Sequence, residues 1–413
     1  MRMSLLGPAR AAALCALSLL LGCKIDTDKV ADHALYAENG DTKAGESLVS
    51  FAVIGNTWAS RSGAASKAAG TPKTGVTDAL IDSIHSAAQG GGPSFVAFTG
   101  DQVQLGTAGS WQLFDRQWSR VLDGYTLSDA AGPEDGEARI SAVPVMGDRE
   151  GRLDIRYRGA EGAFPGTGAA IGFNRVGSWS AFDVETGDQT WRLLFLDSNK
   201  AKLGSRWREQ LAWIPRALEG EMDGILLFMH EPLYDLGGSE PSMNRNGAPH
   251  ELLQLIEDHS SLTGLVAVFT GGSHTSQALM PDGHFGAIHI GAGGGGALSE
   301  DLRRWGPAEG TERRDDLVLE PLFDLALQGA LDEVHAAHPL PELTIDEARA
   351  QNSFEGFRGT YDSQHFPIHG WWEVQLDAGG VTIEFWHHKP GPSVEPIYRA
   401  RYTEDAGWST MRI

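Results

Sequence analysis

Five apolar, strand-like runs in this sequence each end in a carboxylate, amide or imidazole side chain. Leu48–Ile54 runs into Gly55-Asn56, Ser94–Thr99 into Gly100-Asp101, and Ile140–Met146 into Gly147-Asp148. Gly224–Met229 stops at His230, and Leu265–Thr270 leads through Gly271-Gly272-Ser273 to His274. Helical stripes lie between them. Val76–Gln89 spaces Val76, Leu80, Ile81 and Ile84 for one helix face, and Ser110–Leu122 does the same with Trp111, Phe114, Trp118 and Val121. Strands alternating with helices predict an α/β fold whose sheets are covered by helices. In open α/β sheets, ligands bind beyond the carboxyl ends of the strands. A single Gly-Asp after a strand is ordinary turn chemistry. Five such ends in series point to a shared site, and carboxylates with imidazoles suit Zn, Mn or Fe.

The rest of the chain extends this pattern. Trp179–Val184 and Trp191–Leu196 flank Thr186-Gly187-Asp188 and read as a hairpin. Ser205–Leu218 reads as a Ser-capped helix with Trp207, Leu211, Ile214 and Leu218 inward, and Glu251–Glu257 as another helix. Ala287–Ile290 is a strand that enters Gly291–Gly296. A charged stretch at about 301–365 reads as an insertion, helical in part over Leu317–His335. Trp371–Leu376, Val381–His387 and Ile397–Tyr402 read as terminal strands.

Residues 1–22 have the form of an address. Arg2 and Arg10 precede or enter an apolar stretch, Ala11–Leu21, that is shorter than the roughly 20 residues a spanning helix needs. Leu20-Leu21-Gly22-Cys23 resembles the bacterial lipobox, which implies removal of residues 1–22 and lipidation of Cys23. The expectation is an exported protein, lipid-anchored to a bacterial membrane at the outer membrane or cell surface. Residues 23–47 then form a flexible polar tether, and 48–413 one domain. Cys15 leaves with the signal and Cys23 carries the lipid, so no disulfide and no Cys nucleophile remain. Loss of Arg2 and Arg10 takes the formal charge from -22 to −24, which argues against nucleic acid as a partner.

The strand-end series resembles the calcineurin-like metallophosphoesterase family, in particular its secreted, purple-acid-phosphatase-like branch. That family's motifs run D-x-H, G-D, G-N-H-E, a lone H, then G-H-x-H. The matching segments are Gly55-Asn-Thr-Trp58, Gly100-Asp101, Gly147-Asp-Arg-Glu150, His230 and Gly271-Gly-Ser-His274. Leu194–Asn199 and Ser205–Leu218 are similar to the family's L-D-S strand end and Q-x-x-W-L helix. The resemblance spans roughly 48–300. It implies a four-layer α/β/β/α sandwich of two mixed sheets flanked by helices, with the terminal strands in the second sheet.

For activity, the resemblance implies a metal-dependent phosphoester hydrolase in which metal-activated water attacks a phosphate ester. The departures bear on this directly. Asn56 and Trp58 stand where the first metal's Asp and His are expected; Asn is a weak neutral ligand and Trp none. Asp148 replaces an Asn and can still coordinate. Arg149 replaces a catalytic His; it cannot give up a proton but can hold phosphoryl oxygens. Gly272 replaces one His of the last motif, and His274 matches the other. Three readings stay open. One has a single divalent transition metal on Asp101, Asp148, His230 and His274, with Asn56 a weak ligand and Arg149 steadying the phosphoryl group. Another is a metal-free, inactive descendant that binds a small-molecule ligand or a surface partner. The third is a structural lipoprotein without a ligand.

Other signals carry less. Gly291-Ala-Gly-Gly-Gly-Gly296 satisfies G-x-G-x-x-G but lacks the apolar helix a nucleotide loop needs. Close backbone approach explains it better. No G-x-S-x-G elbow or P-loop occurs. His387-His388 sit on opposite strand faces, and His284, His289, His365 and His369 read as surface or satisfied core histidines. Of Trp371-Trp372, at least one packs in the core.

Overall fold

The structure is a computed structural model that describes residues 48–59, 74–119, 121–122, 140–151, 178–232, 248–259, 264–272, 276–279, 287–295, 369–387 and 395–411. The expected signal and tether, Cys23, His274 and the insertion at 301–365 lie outside the described residues, as do His284, His365 and His388.

The first half of the fold runs β1 (Leu48–Ile54), α1 (Thr74–Gln89), β2 (Phe95–Phe98), α2 (Ala108–Trp118) and β3 (Ser141–Pro144). The second runs β4 (Ser180–Thr186), β5 (Gln189–Phe195), α3 (Lys200–Leu203), α4 (Arg206–Ala217), β6 (Gly224–Phe228), α5 (Ala248–His259), β7 (Leu265–Thr270), β8 (Ser276–Leu279) and β9 (Ile288–Ala292). Four strands close the chain: β10 (Gly370–Asp377), β11 (Gly380–His387), β12 (Glu395–Thr403) and β13 (Gly407–Met411). They form a seven-stranded sheet, β13-β12-β11-β10-β1-β2-β3, and a six-stranded sheet, β4-β5-β6-β7-β9-β8. Both are mixed. β1, β2 and β3 are mutually parallel while β10 pairs antiparallel to β1. In the other sheet β5, β6, β7 and β9 are parallel, with β4 and β8 antiparallel at the edges.

Alternation along the strands sets the layers. Phe51 and Val53 of β1, Phe95 and Ala97 of β2, and Trp191, Leu193 and Phe195 of β5 enter one core between the sheets. Phe195, Phe228 and Phe269 stack in a row across β5, β6 and β7, with centroids 4.4 and 4.8 Å apart. Phe51 reaches Phe228 across the gap at 6.0 Å, and Phe95 meets Phe182 at 5.9 Å. The opposite faces are covered by helices. Phe98 packs edge-on against Phe114 and Trp118 of α2, and Trp371 donates its indole N–H to Ser83 of α1. On the far side, Arg192 of β5 donates to the carbonyl of Ala217 at the end of α4. The four-layer α/β/β/α sandwich expected from the motifs is therefore what the strand registers and helix contacts build.

Several local expectations change. The terminal strands extend the first sheet, not the second, because Trp372 and Val374 of β10 continue the inter-sheet core beside β1. Both Trp371 and Trp372 are fully buried, since this sheet is covered on both faces. Helix α2 starts earlier than its apolar stripe, with the Thr107 side chain accepting from Ser110 N–H as N-cap. Ser205 is not a capping residue. It is itself αR and its side chain makes no cap bond, and Gly204 at φ 56° turns the chain between α3 and it. Strands β8 and β13 and the single turn α3 are too short to leave a periodic signature.

Phe228→Ala removes the centre of the aromatic row and is expected to cost about 3–5 kcal/mol in urea unfolding. Leu48→Ala, at a side chain 46% exposed, should stay within about 0.5 kcal/mol. A second prediction concerns pH. Arg401 hydrogen-bonds both oxygens of Asp377, at 2.6 and 2.8 Å, and holds that carboxyl below its ordinary range. The folded form then binds fewer protons than the unfolded one, so the stabilisation is present at neutral pH and fades as pH falls through the carboxylate range. Unfolding midpoints measured down to about pH 3 should fall less steeply in Arg401→Gln.

Candidate metal and phosphate site

Beyond the carboxyl ends of β1 and β2 the two loops continue side by side. Asn56 N–H donates to the Gly100 carbonyl at 3.0 Å, Trp58 N–H to Asp101 at 3.1 Å, and Ala59 N–H to Gln102 at 2.8 Å. These bonds hold three non-glycine residues at positive φ: Asn56 at 56°, Trp58 at 40° and Asp101 at 57°. Such conformations cost energy and persist where the surroundings over-determine them. The loops of the second sheet join at the same end. Gly55 N–H donates to Ala292 and Gly295 N–H to Gly55, while Gly271 and Gly272 both donate to the His230 carbonyl. The Gly291–Gly295 segment thus serves close backbone approach.

Asp101 sits fully buried at the centre. Its Oδ1 accepts the Arg149 backbone N–H at 3.0 Å, and its Oδ2 accepts the Trp58 indole N–H at 3.2 Å. Glu150, also fully buried, lies behind it. Oε2 accepts N–H from Gly147 at 2.7 Å and Asp101 at 3.1 Å, and Oε1 accepts from Val103 at 3.1 Å. Burial, then the charge of Asp148, pushes Asp101 up to about 6, against the pull of His230 and Arg149. Burial and the Asp101 charge push Glu150 up to about 8, with its backbone N–H donors pulling the other way.

His230 is fully buried, and its ring orientation follows from its partners. Nδ1 lies 2.9 Å from the Thr99 carbonyl, which can only accept, so Nδ1 carries a proton. In the neutral ring Nε2 is then a lone pair, 3.5 Å from Asp101 Oδ1 and without a hydrogen-bond partner among the described residues. Two acceptors facing each other across that gap are relieved by a shared cation. One ligand atom each of Asp101, Asp148 and His230 lies within 4.8 Å of the others, so the residues present fit one divalent ion.

The other expected ligands divide. Asn56 does not offer its amide nitrogen, which is spent on the carbonyls of Gly271 at 2.7 Å and Gly293 at 3.4 Å. Its Oδ1 is buried and unpartnered among the described residues, so the oxygen is available. His274 lies outside the described residues. Arg149 does reach the cluster: Nε lies 3.5 Å from Asp101 Oδ2 and 3.7 Å from Asp148 Oδ1, and the guanidinium carbon lies 4.1 Å over the Trp58 ring. His369 binds the Gly294 carbonyl at 3.2 Å and His289 is buried; neither belongs to the three-residue group.

Two residues without a sequence-assigned role turn out to build the site. Glu150 was visible as the last letter of Gly147-Asp-Arg-Glu150, but nothing in that spacing says that its carboxylate faces backbone N–H groups. Trp58 was visible as a departure, and its indole N–H contact was not.

No known protein-family model matches this sequence, and no curated protein does. Among solved structures, similarity extends to GAP50, the anchor in the inner membrane complex of Plasmodium. Identity there is 15% over 87% of this chain and 89% of that one, with a TM-score of 0.48. A purple acid phosphatase from yellow lupin (Lupinus luteus) seeds is 13% identical over 85% of this chain and 53% of its own, with a TM-score of 0.44. A dimetal phosphatase from Danio rerio is 10% identical over 84% and 98%, with a TM-score of 0.43. At these values the likeness adds nothing to what the strand pairing already establishes about the layers.

Gly147 packs against the central carboxylate at backbone distance. A Cβ there would overlap Asp101 Oδ1 and backbone N and come within 2.8 Å of Glu150 Oε2. Gly147→Ala is therefore expected to lose about 1–3 kcal/mol of stability, read as a lowered melting temperature. Gly109→Ala, where the added carbon meets nothing within 4 Å, is the control and should melt no lower.

Proposed function

We propose that this cleft binds one divalent transition metal, Mn, Zn or Fe, and hydrolyses a phosphoester beside it. The carrying observation is the meeting of Asp101, Asp148 and the lone-pair nitrogen of His230 at the joined ends of the two sheets. The motif series supports placing the chain among the calcineurin-like metallophosphoesterases, with an incomplete two-metal centre. Asp101, Asp148 and His230 would hold the ion, with His274 and Asn56 as further ligands. When bound, a divalent ion supplies Lewis acidity toward a phosphoryl oxygen and makes water a competent nucleophile near neutral pH. Arg149, 14% exposed, would meet the remaining phosphoryl charge. Asp148, 28% exposed, is the member of the group that solvent, and so a substrate, would reach. We also propose that the protein is exported and held at a bacterial membrane by lipid on Cys23, the domain itself making no nucleic-acid contact.

One observation favours a second reading. Arg149 and the Trp58 N–H already compensate Asp101 without any metal, as a metal-free ligand- or partner-binding descendant would require.

The purified exported chain, stripped with chelator and titrated calorimetrically with Mn, Zn and Fe(II), should bind one equivalent. The loaded protein should cleave p-nitrophenyl phosphate or its bis ester, with Asp101→Asn and His230→Ala losing both binding and turnover. Absence of stoichiometric metal and of activity with every ion would leave the metal-free reading.

A further inference from the structure

Trp58 makes contacts that a filler of the core would not make. Its indole N–H points at the central carboxylate, donating to Asp101 Oδ2, and its ring face carries the Arg149 guanidinium at 4.1 Å. Arg149 in turn clasps Asp101 from both ends. Its backbone N–H reaches Oδ1 at 3.0 Å and its side-chain Nε approaches Oδ2 at 3.5 Å. Nε is buried and makes no hydrogen bond among the described residues, so the guanidinium is held by stacking and charge rather than by a fork of bonds. Asp101 therefore has two differently furnished sides. Oδ1 faces the lone pair of His230, and Oδ2 faces an indole and a guanidinium.

We infer that Trp58 is a positioning residue that fixes Arg149 as a resident cation for an oxyanion ligand of the phosphate class. The backbone supports this use. A bulky residue at φ 40° is an outlier, and Trp58 is kept there by its own N–H bond to the Asp101 carbonyl. A guanidinium laid on an aromatic plane is pre-organised, so little side-chain freedom is lost when an oxyanion arrives. The inference rests on the phosphoester reading for the chemistry of the ligand, but not on the metal.

The test is a calorimetric titration of inorganic phosphate into the purified exported chain, with and without saturating Mn2+. Trp58→Leu removes both the aromatic face and the N–H, while Trp58→Phe restores the face alone; Arg149→Lys removes the planar cation. In whichever state binds phosphate, Trp58→Leu and Arg149→Lys should weaken it about tenfold, and Trp58→Phe should stay within about threefold of the parent. Near-ultraviolet circular dichroism and melting identify a variant that fails to fold. If Trp58→Leu does, the contrast between Arg149→Lys and Trp58→Phe decides alone. Parent-like phosphate affinity in Arg149→Lys, equal losses in Trp58→Phe and Arg149→Lys, or no phosphate binding in either state overturns the inference. Phosphate binding that depends on Trp58 in a protein that takes up no Mn2+ upholds it while removing the metal-dependent reading.

Discussion

A buried carboxylate accepting three backbone N–H groups governs this site. Glu150 ties Asp101 and Val103, on the loop after β2, to Gly147, on the loop after β3. No regular strand pairing joins the chain at those points, so the acid does there what a ladder does inside the sheet. The position of Asp101 follows from it, and with Asp101 the spacing to His230, Asp148 and Arg149. Glycines at 100 and 147 are the corollary. A Cβ at Gly100 would collide with the His230 ring and approach the Gly147 Cα at 2.9 Å, so the two loops pack at backbone distance. The same compactness excludes water from Asp101 and Glu150, and burial pushes both carboxyls up.

The charge distribution makes sense of the departures from the motif series. Asp101, Asp148 and Glu150 crowd one end of the sandwich, and such a crowd is relieved by protonation, as the raised Glu150 reflects, or by cations. Arg149 with Trp58 supplies one from within the chain, on the Oδ2 side. On the Oδ1 side His230 Nε2 stands 3.5 Å away without a hydrogen-bond partner among the described residues. Where the motif series has an Asp and a His, this chain has a guanidinium on an indole, which does not leave Asp101 bare.

Much of the fold was legible because its signals are local and repeated. Both faces of β1, β2, β5, β6 and β7 are covered, so these strands read as largely apolar runs, and the glycine after β1, β2 and β7 marks where the backbone must turn. The positions of Asp101, Asp148 and His230 at strand ends followed from that, and the structure brings the three together. What escaped was non-local. The sheet to which β10–β13 belong depends on pairings more than three hundred positions apart, such as Leu48 with Asp377. The contact of Trp58 with Arg149 and the three donors on Glu150 are likewise properties of loops folded against each other. The Ser205 cap failed for a related reason: a Ser before a helical stripe caps it from extended backbone, and here Ser205 is itself αR after the turn at Gly204.

The pairing of β1 with β10 has a temporal side. β1 carries the site's first loop, with Asn56 and Trp58, yet one of its edges stays open until residues 372–377 are available to pair with Leu48–Val53. A strand edge left waiting offers unpaired N–H and C=O groups to any other extended chain. Closing a loop of that span is also slow compared with forming α1 or the β4–β5 hairpin. The third of the sequence that holds most of the ligands is therefore made early and completed late. Shortening β10 would be felt first at β1, and through it at the loop that carries Asn56 and Trp58.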